Sequence, residues 1–303
     1  MSGAASEKIG LLAGWGRYPL IVAQALRAQG HSVYCLAIKD HADPALREFC
    51  DHWQPQGLAK LGAAIRYFHR HGVARATMAG KIHKTLIFRK YHWLKHLPDW
   101  RFFWTFYPHW ITKTKDRKDD TLLGTIVGAF EQEGIHFAPA TDYAPELLVT
   151  AGNLTHRAPS AAQWKDIQFG WQLAKELGRV DVGQSVAVKG RAVLAVEAVE
   201  GTDECIRRAG HLCPAGGFTV VKVAKPQQDM RFDVPTIGPG TVQTLIEAGA
   251  GALAIEAGKT IVLDQDEVVR LADRHKLAIV AVDGDRLGRT IEDLGGQIGS
   301  QRG

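Results

Sequence analysis

From Lys8 to Ile38 the chain sets down an apolar strand, a glycine turn, a helix and a second apolar strand, and this order constrains the fold more than any other stretch. Lys8-Ile-Gly-Leu-Leu-Ala-Gly ends in Gly14-Trp-Gly16, and Pro19 falls where a first helical turn tolerates it. Leu20 to Ala28 reads as a helix closed at Gly30, followed by a strand from Ser32 to Ile38. This is the opening of a βαβ unit. Glycines at such a turn let a phosphate approach the helix N-terminus, or simply make the turn. The dinucleotide fingerprint needs a third glycine, and Pro19 stands in its place.

The pattern continues with helical periodicity from Gly57 to His71 (Leu58, Leu61, Ile65, Phe68) and a strand from Val73 to Met78. Gly80-Lys-Ile-His follows that strand end, where α/β proteins place ligand contacts, so Lys81 is a candidate phosphate contact as well as an ordinary solvated lysine. Asp119-Asp120-Thr121 opens a helix with Leu122, Ile126 and Phe130 on one face, and a strand runs from Ile135 to Ala138. Prolines at 139 and 145 suggest the boundary. These readings give an α/β fold in two domains. A Rossmann-like domain covers 1–140 with an insertion, and a mixed α/β domain covers 141–303 with a mobile tail from about 284.

The insertion, residues 83–118, holds ten Phe, Trp and Tyr residues and nine Lys/Arg against Asp99 and Asp116. Rings interleaved with cations stack nucleobases, sit at a headgroup boundary, line an acyl-chain channel, or pack an irregular insertion on the core. The stretch 91–110 is read as a surface for an amphiphile.

In the second half a helix spans Ser160 to Leu177, with strands at Val186 to Lys189 and Ala192 to Ala198. Glu200 and Gly201 stand at a strand-to-helix turn. Asp203 and Glu204 in the first turn of the next helix, with Arg207 and Arg208 in its last, already satisfy its dipole. After the strand Phe218 to Val223 comes a polar segment broken by Pro226 and Pro235 and closed at Gly238. Were it extended, Asp229, Arg231 and Asp233 would share one face, with Lys222 and Lys225 upstream. That set suits a metal-bridged phosphate, and equally an ion-paired surface loop. Thr241 to Glu247 reads as a helix and Ala252 to Glu256 as a strand with a hairpin-like return at Thr260 to Leu263. The helix Asp266 to His275 and the strand Ala278 to Val282 complete the domain.

A net charge of +5 points to an anionic partner: nucleic acid, a phosphorylated metabolite or an acidic membrane surface. Cys35, Cys50, Cys205 and Cys213 form no C-x-x-C pair and read as reduced thiols of a cytoplasmic protein. No stretch approaches the length of a spanning helix, and the first residues do not form a signal peptide.

Four stretches together resemble the LpxI-type UDP-2,3-diacylglucosamine pyrophosphatase family. They are Ile-Gly-Leu-Leu-Ala-Gly-x-Gly-x-Tyr-Pro near the start, Asp181-Val-Gly-Gln-Ser-Val, Ala195-Val-Glu-Ala-Val-Glu-Gly-Thr-Asp-Glu, and Lys222-Val-Ala-Lys-Pro-x-Gln-Asp-x-Arg-Phe-Asp-x-Pro-x-Ile-Gly. The resemblance runs from about Lys8 to Asp283.

The resemblance implies two domains with a lipid substrate held between them, in lipid A biosynthesis of Gram-negative bacteria. It implies hydrolysis of UDP-2,3-diacylglucosamine to UMP and 2,3-diacylglucosamine 1-phosphate (lipid X) with Mg²⁺. The expected location is the cytoplasm, with peripheral contact at the cytoplasmic face of the inner membrane left open. Asp229 is the first candidate carboxylate, as metal ligand or base. Asp233 is a second metal ligand, and Glu200 and Asp203 are further catalytic candidates. Lys222, Lys225 and Arg231 are expected on the pyrophosphate, with Gln184 and Gln228 as polar orienters. Gly14, Gly16, Lys81, Gly201, Thr202 and Thr236 complete the substrate contacts. No nucleic-acid partner is expected, and a homodimer is left open. Two rivals stay open: a nucleotide-sugar oxidoreductase built on the Rossmann-like half, and a nucleic-acid module built on the basic aromatic segment.

Overall fold

The computed structural model describes residues 6–82, 97–111, 119–284 and 287. The chain is α/β and groups into two units, 1–145 with 229–233, and 146–228 with 234–303. The stretches 83–96 and 112–118 of the aromatic insertion, and the tail after 284 apart from Leu287, lie outside the described residues.

The amino-terminal unit is built on five parallel strands: β1 (Lys8–Ala13), β2 (Ser32–Ile38), β3 (His52–Gln56), β4 (Arg75–Ala79) and β5 (His136–Phe137), in the order β3-β2-β1-β4-β5. Helices α1 (Tyr18–Ala28), α2 (Leu61–His71), α3 (Trp100–Ile111) and α4 (Asp119–Glu131) accompany them. β1 and β2 are buried almost throughout, as strands covered on both faces must be. Side chains alternate across the sheet. Ile9, Leu11, Val33 and Cys35 pack in one cluster with Val22 and Leu26 of α1. Tyr34 and Leu36 pack in another with Ile65 and Phe68 of α2 and Phe130 of α4. Gly10 lies under that second cluster: a Cβ there would stand 2.7 Å from Phe68 Cζ, so only glycine lets the ring settle on the strand.

Sequence reading missed β3, His-Trp-Gln-Pro-Gln, because it carries a proline and no apolar alternation. It lies at the sheet edge, paired with β2 alone, where a proline costs no inner ladder bond. Within the insertion Trp100–Ile111 is helical, an element that sequence reading did not assign. Asp99 accounts for its start, its Oδ1 accepting from Phe102 N at 2.9 Å and its Oδ2 from Ala63 N at 3.0 Å, so one carboxylate joins α3 to the first turn of α2.

The carboxy-terminal unit carries a six-stranded sheet in the order β6-β13-β11-β9-β7-β8. Its strands are β6 (Gly152–Asn153), β7 (Ser185–Lys189), β8 (Ala192–Val196), β9 (Thr219–Lys222), β11 (Ala252–Glu256) and β13 (Ala278–Val282). β9, β11 and β13 run parallel, whereas β7 is antiparallel to β9 and to β8. Helix α5 (Ala161–Arg179) starts in a capping box made by Ser160 and Gln163. It packs Ile167, Trp171 and Ala174 on Val186, Val188 and Val221. Helices α6 (Thr202–Leu212), α7 (Pro239–Glu247) and α8 (Gln265–Arg274) supply Ile206, Leu245 and Val268 to the other core, with Phe218 and Ile279. The expected hairpin at Thr260 to Leu263 is a different structure. β12 (Ile261–Val262) pairs in parallel with β10 (Thr236–Ile237), because Ile261 N donates to Pro235 O and Leu263 N to Ile237 O.

Between β9 and β10 the chain leaves one core for another. Residues 229–233 group with the amino-terminal unit, where Phe232 packs against the cluster containing Phe68 and Phe130.

Candidate functional site

In an open α/β sheet the parallel strands aim their carboxyl ends at one edge, and ligands collect there. In the carboxy-terminal unit that edge carries Lys222 at the end of β9, Glu256 at the end of β11 and Glu197 just past β8. Because β7 is antiparallel to β9, Ser185 stands beside Lys222 in register, so the start of β7 belongs to the same edge. Lys222 is 5% exposed and Glu197 8%. The hydroxyl of Thr202, the first residue of α6, lies between them, 2.7 Å from Lys222 Nζ and 2.8 Å from Glu197 Oε1. Ser185 Oγ lies 3.4 Å from the same hydroxyl, and Gln184 N donates to Glu197 Oε2 at 3.4 Å. The Gln184 side-chain oxygen is buried and finds no hydrogen-bond partner among the described residues. Gly201 turns into α6 at φ +86°, a conformation that favours glycine.

Four other sequence-derived candidates on this unit have definite partners. Lys225 Nζ pairs with Asp181 Oδ1 at 2.7 Å, and Gln228 Oε1 accepts from Lys225 N at 3.2 Å, so both shape the loop after β9. Glu200 is held by Arg208 at 2.8 Å. Thr236 donates to Val234 O at 2.9 Å in the approach to β10. Asp203 is exposed in the first turn of α6, where a carboxylate suits the helix dipole.

In the amino-terminal unit the turn after β1 is paired with the turn after β4. Trp15 N donates to Lys81 O at 2.8 Å, Lys81 N to Trp15 O at 2.9 Å, and Gly14 N to Ala79 O at 2.8 Å. A Cβ on Gly14 would meet Lys81 O at 2.7 Å, so this glycine serves the approach of two backbones. Gly16, at φ +102°, faces open space and keeps the turn accessible.

Asp229, Arg231 and Asp233 do not share a face of an extended strand. Phe232 N and Asp233 N both turn back toward Asp229 O, at 3.4 and 3.2 Å, so the segment is a tight turn. Asp229 Oδ1 accepts from Arg231 N and Nε, both at 3.0 Å, and Oδ2 from Nη2 at 2.7 Å and Nε at 3.1 Å. The guanidinium reaches across to Glu131 Oε1 at 2.7 Å with its other arm. Hydrogen bonding to Arg231 holds the Asp229 carboxyl below its ordinary range, against the opposing effect of burial. Hydrogen bonding to Asp229 raises the Arg231 guanidinium in turn. A carboxylate whose lone pairs are taken up in this way does not fit a metal ligand while the pair is closed. Among the described residues no three His, Cys, Asp or Glu side chains group around a point that could hold a metal ion.

On α3, Phe102 packs against the core while Trp100 and Trp104 are 73% and 52% exposed. Their rings meet edge to face, 5.5 Å between centroids.

Sequence reasoning missed Glu131, Glu197 and Glu256 as members of these clusters. Glu256, 3% exposed, accepts from Lys175 Nζ at 2.6 Å and from Ala224 N at 2.8 Å. The available signal was position: Glu197 and Glu256 close apolar strand runs on the edge where ligands bind. Glu131 gave no such signal, since its partner lies a hundred residues away in sequence.

Residues 8–147 match the model of the LpxI N-terminal domain and residues 150–280 that of the LpxI C-terminal domain. A protein of Caulobacter vibrioides, named UDP-2,3-diacylglucosamine pyrophosphatase LpxI, is 30% identical over 287 residues, which cover 91% of this chain and 98% of the relative. A solved structure of N5-carboxyaminoimidazole ribonucleotide synthetase with ADP is 16% identical, covering 69% of this chain and 46% of the other at a TM-score of 0.23, a likeness too low to bear on the fold.

Proposed function

The chain belongs to the LpxI family, and we propose that it hydrolyses the pyrophosphate bond of UDP-2,3-diacylglucosamine, releasing UMP and 2,3-diacylglucosamine 1-phosphate. The observation that carries this reading is the match to a relative named for that activity along 98% of its length, with both family domains present in order. Neither the oxidoreductase nor the nucleic-acid reading accounts for a match of that extent.

Breaking a phosphoanhydride is a matter of neutralising phosphoryl charge and aligning a water. In this reading Lys222, held against Thr202, and Arg231, held against Asp229, are cations for the phosphoryl oxygens. Lys225 and Lys81 are further candidate cations, each in its own unit. The buried Gln184 oxygen is an acceptor for a donor on the nucleotide or the sugar. Glu200, Asp203, Gln228, Thr236, Gly14, Gly16 and Gly201 remain candidate contacts. The exposed rings of Trp100 and Trp104 suit acyl chains or the inner-membrane surface, where amphipathic aromatics are at home. Among the described residues no helix is long and apolar enough to cross a membrane. The attachment proposed is peripheral, on the cytoplasmic face.

Magnesium is part of the proposal. When bound it would offset phosphate charge and acidify a water. Mg²⁺ binds through substrate phosphates with one or two carboxylates and keeps several waters. Asp233, in the same turn as Asp229, is the proposed protein ligand. Chelation by EDTA is expected to abolish UMP release and added Mg²⁺ to restore it, both followed by chromatographic quantitation of UMP. Full activity after exhaustive chelation would overturn the metal requirement and leave the hydrolase reading standing.

A further inference from the structure

Lys222 and Glu197 are both more than nine-tenths buried, and a single hydroxyl joins them. The chemistry of the three groups fixes the direction of that link. An ammonium can only donate and a carboxylate can only accept, so the Thr202 hydroxyl accepts from Lys222 Nζ and donates to Glu197 Oε1. The Thr202 proton is thereby assigned, and the hydroxyl is locked in one rotor.

Three separate stretches are shaped around this carboxylate. Gln184 N donates to Glu197 Oε2, and Glu197 N donates to Ser185 O at 2.8 Å, closing the start of β7 on the end of β8. At Gly183 a Cβ would stand 2.1 Å from Glu197 O, closer than any side chain permits. Thr202 comes from the turn into α6, and Lys222 from β9. Burying two opposite charges for stability alone is a poor exchange, because desolvation offsets much of the attraction and an apolar pair serves as well. Buried charge retained at a sheet edge where ligands bind points to a site instead.

We infer that Glu197 is a positioning residue: through the Thr202 hydroxyl it holds the Lys222 ammonium in place to meet a phosphoryl oxygen of the substrate. The inference rests on reading this chain as a pyrophosphatase for its substrate, but the link is testable with inorganic pyrophosphate alone.

The test is calorimetric titration of the full chain with inorganic pyrophosphate, alongside kinetics of UMP release and thermal melts. Glu197→Gln and Thr202→Val are each expected to weaken pyrophosphate binding about tenfold, the effect of losing one charge-assisted hydrogen bond. The double variant is expected to lose no more than either single one, because both break the same link. Thr202→Ser, which restores the hydroxyl, is expected to recover binding to within about threefold of wild type. In turnover the losses fall on KM more than on kcat, since the ammonium binds ground state and transition state alike. A structural role would lower the melting temperature and leave pyrophosphate affinity untouched.

The proposal is overturned if wild-type chain does not bind pyrophosphate, if Glu197→Gln binds it as wild type does, or if the two single losses multiply. Should Glu197→Gln fail to fold, the contrast between Thr202→Val and Thr202→Ser decides, since both keep the carboxylate. Equal binding by those two overturns the link; a loss in Val that Ser repairs upholds it. Wild-type chain that shows the coupling but releases no UMP upholds the role of Glu197 and overturns the hydrolase reading.

Discussion

Replacing Asp229 by Ala is expected to lower kcat/KM for UMP release by about a hundredfold or more, with almost no change in melting temperature. The two halves of that result come from one geometry. Asp229 and Arg231 are a bidentate pair, but each side chain is about a third exposed (29% and 31%). A pair that wet contributes only about 0–1 kcal/mol to folding. In the proposed mechanism its value is larger. The carboxylate fixes the plane of the guanidinium with three side-chain bonds, while Glu131 steadies the other arm at 2.7 Å. Without Asp229 the guanidinium loses the orientation in which it could clamp a phosphoryl oxygen. Arg231→Ala should then resemble Asp229→Ala, and the double variant should lose little more. If Asp229→Ala keeps wild-type turnover, the pair is a structural clasp for the turn at 229–233, and the catalytic carboxylate must be sought at Asp233 or Glu200.

The pH dependence of the same pair has a definite sign. Arg231 depresses the Asp229 carboxyl in the folded chain. Its stabilising contribution is therefore complete above the ordinary carboxylate range and disappears as pH falls through the lowered folded value. Asp229→Asn should remove that acid-side dependence while leaving stability near neutral pH almost unchanged.

The second large effect is expected at Gly183→Ala. An added Cβ would lie 2.1 Å from Glu197 O and 2.7 Å from the carbonyl carbon, a clash with backbone at the end of β8 that no rotamer relieves. Either the 181–185 turn or the strand end must move; the strand end carries Glu197, and the turn donates Gln184 N to its carboxylate. A loss of about 3 kcal/mol is the scale of such an overpacked site, which for a unit of this size lowers the melting temperature by roughly 6–12 °C. Differential scanning calorimetry measures it, and pyrophosphate titration of the surviving folded fraction should show weakened binding. Melting within a degree of wild type would mean that the turn is loose and that Glu197 is not held by it.

These sites show what local sequence can and cannot reveal. The strand–turn–helix–strand opening was legible because its apolar runs and its Pro19 and Gly30 punctuation are local, and the capped helix beginning at Ser160 was legible for the same reason. The edge strand His52–Gln56 was not, since an edge position tolerates Pro55 and polar residues that mask a strand pattern. The parallel pairing of β10 with β12 was also out of reach, because two-residue strands carry no periodicity. At the site, residue types were legible but partners were not. Asp229 and Arg231 were picked out together, yet the turn that brings them into a bidentate pair runs against the extended reading. Glu197 has no legible role in the stretch Ala195–Glu204, because its meaning depends on Thr202 and Lys222 arriving from α6 and β9.

The most direct test of the hydrolase reading is to incubate the purified chain with UDP-2,3-diacylglucosamine and Mg²⁺ and to quantify both products by mass spectrometry. Equimolar UMP and 2,3-diacylglucosamine 1-phosphate, formed in proportion to enzyme and time, are the predicted result. Intact substrate, with no UMP above the enzyme-free control, would contradict it.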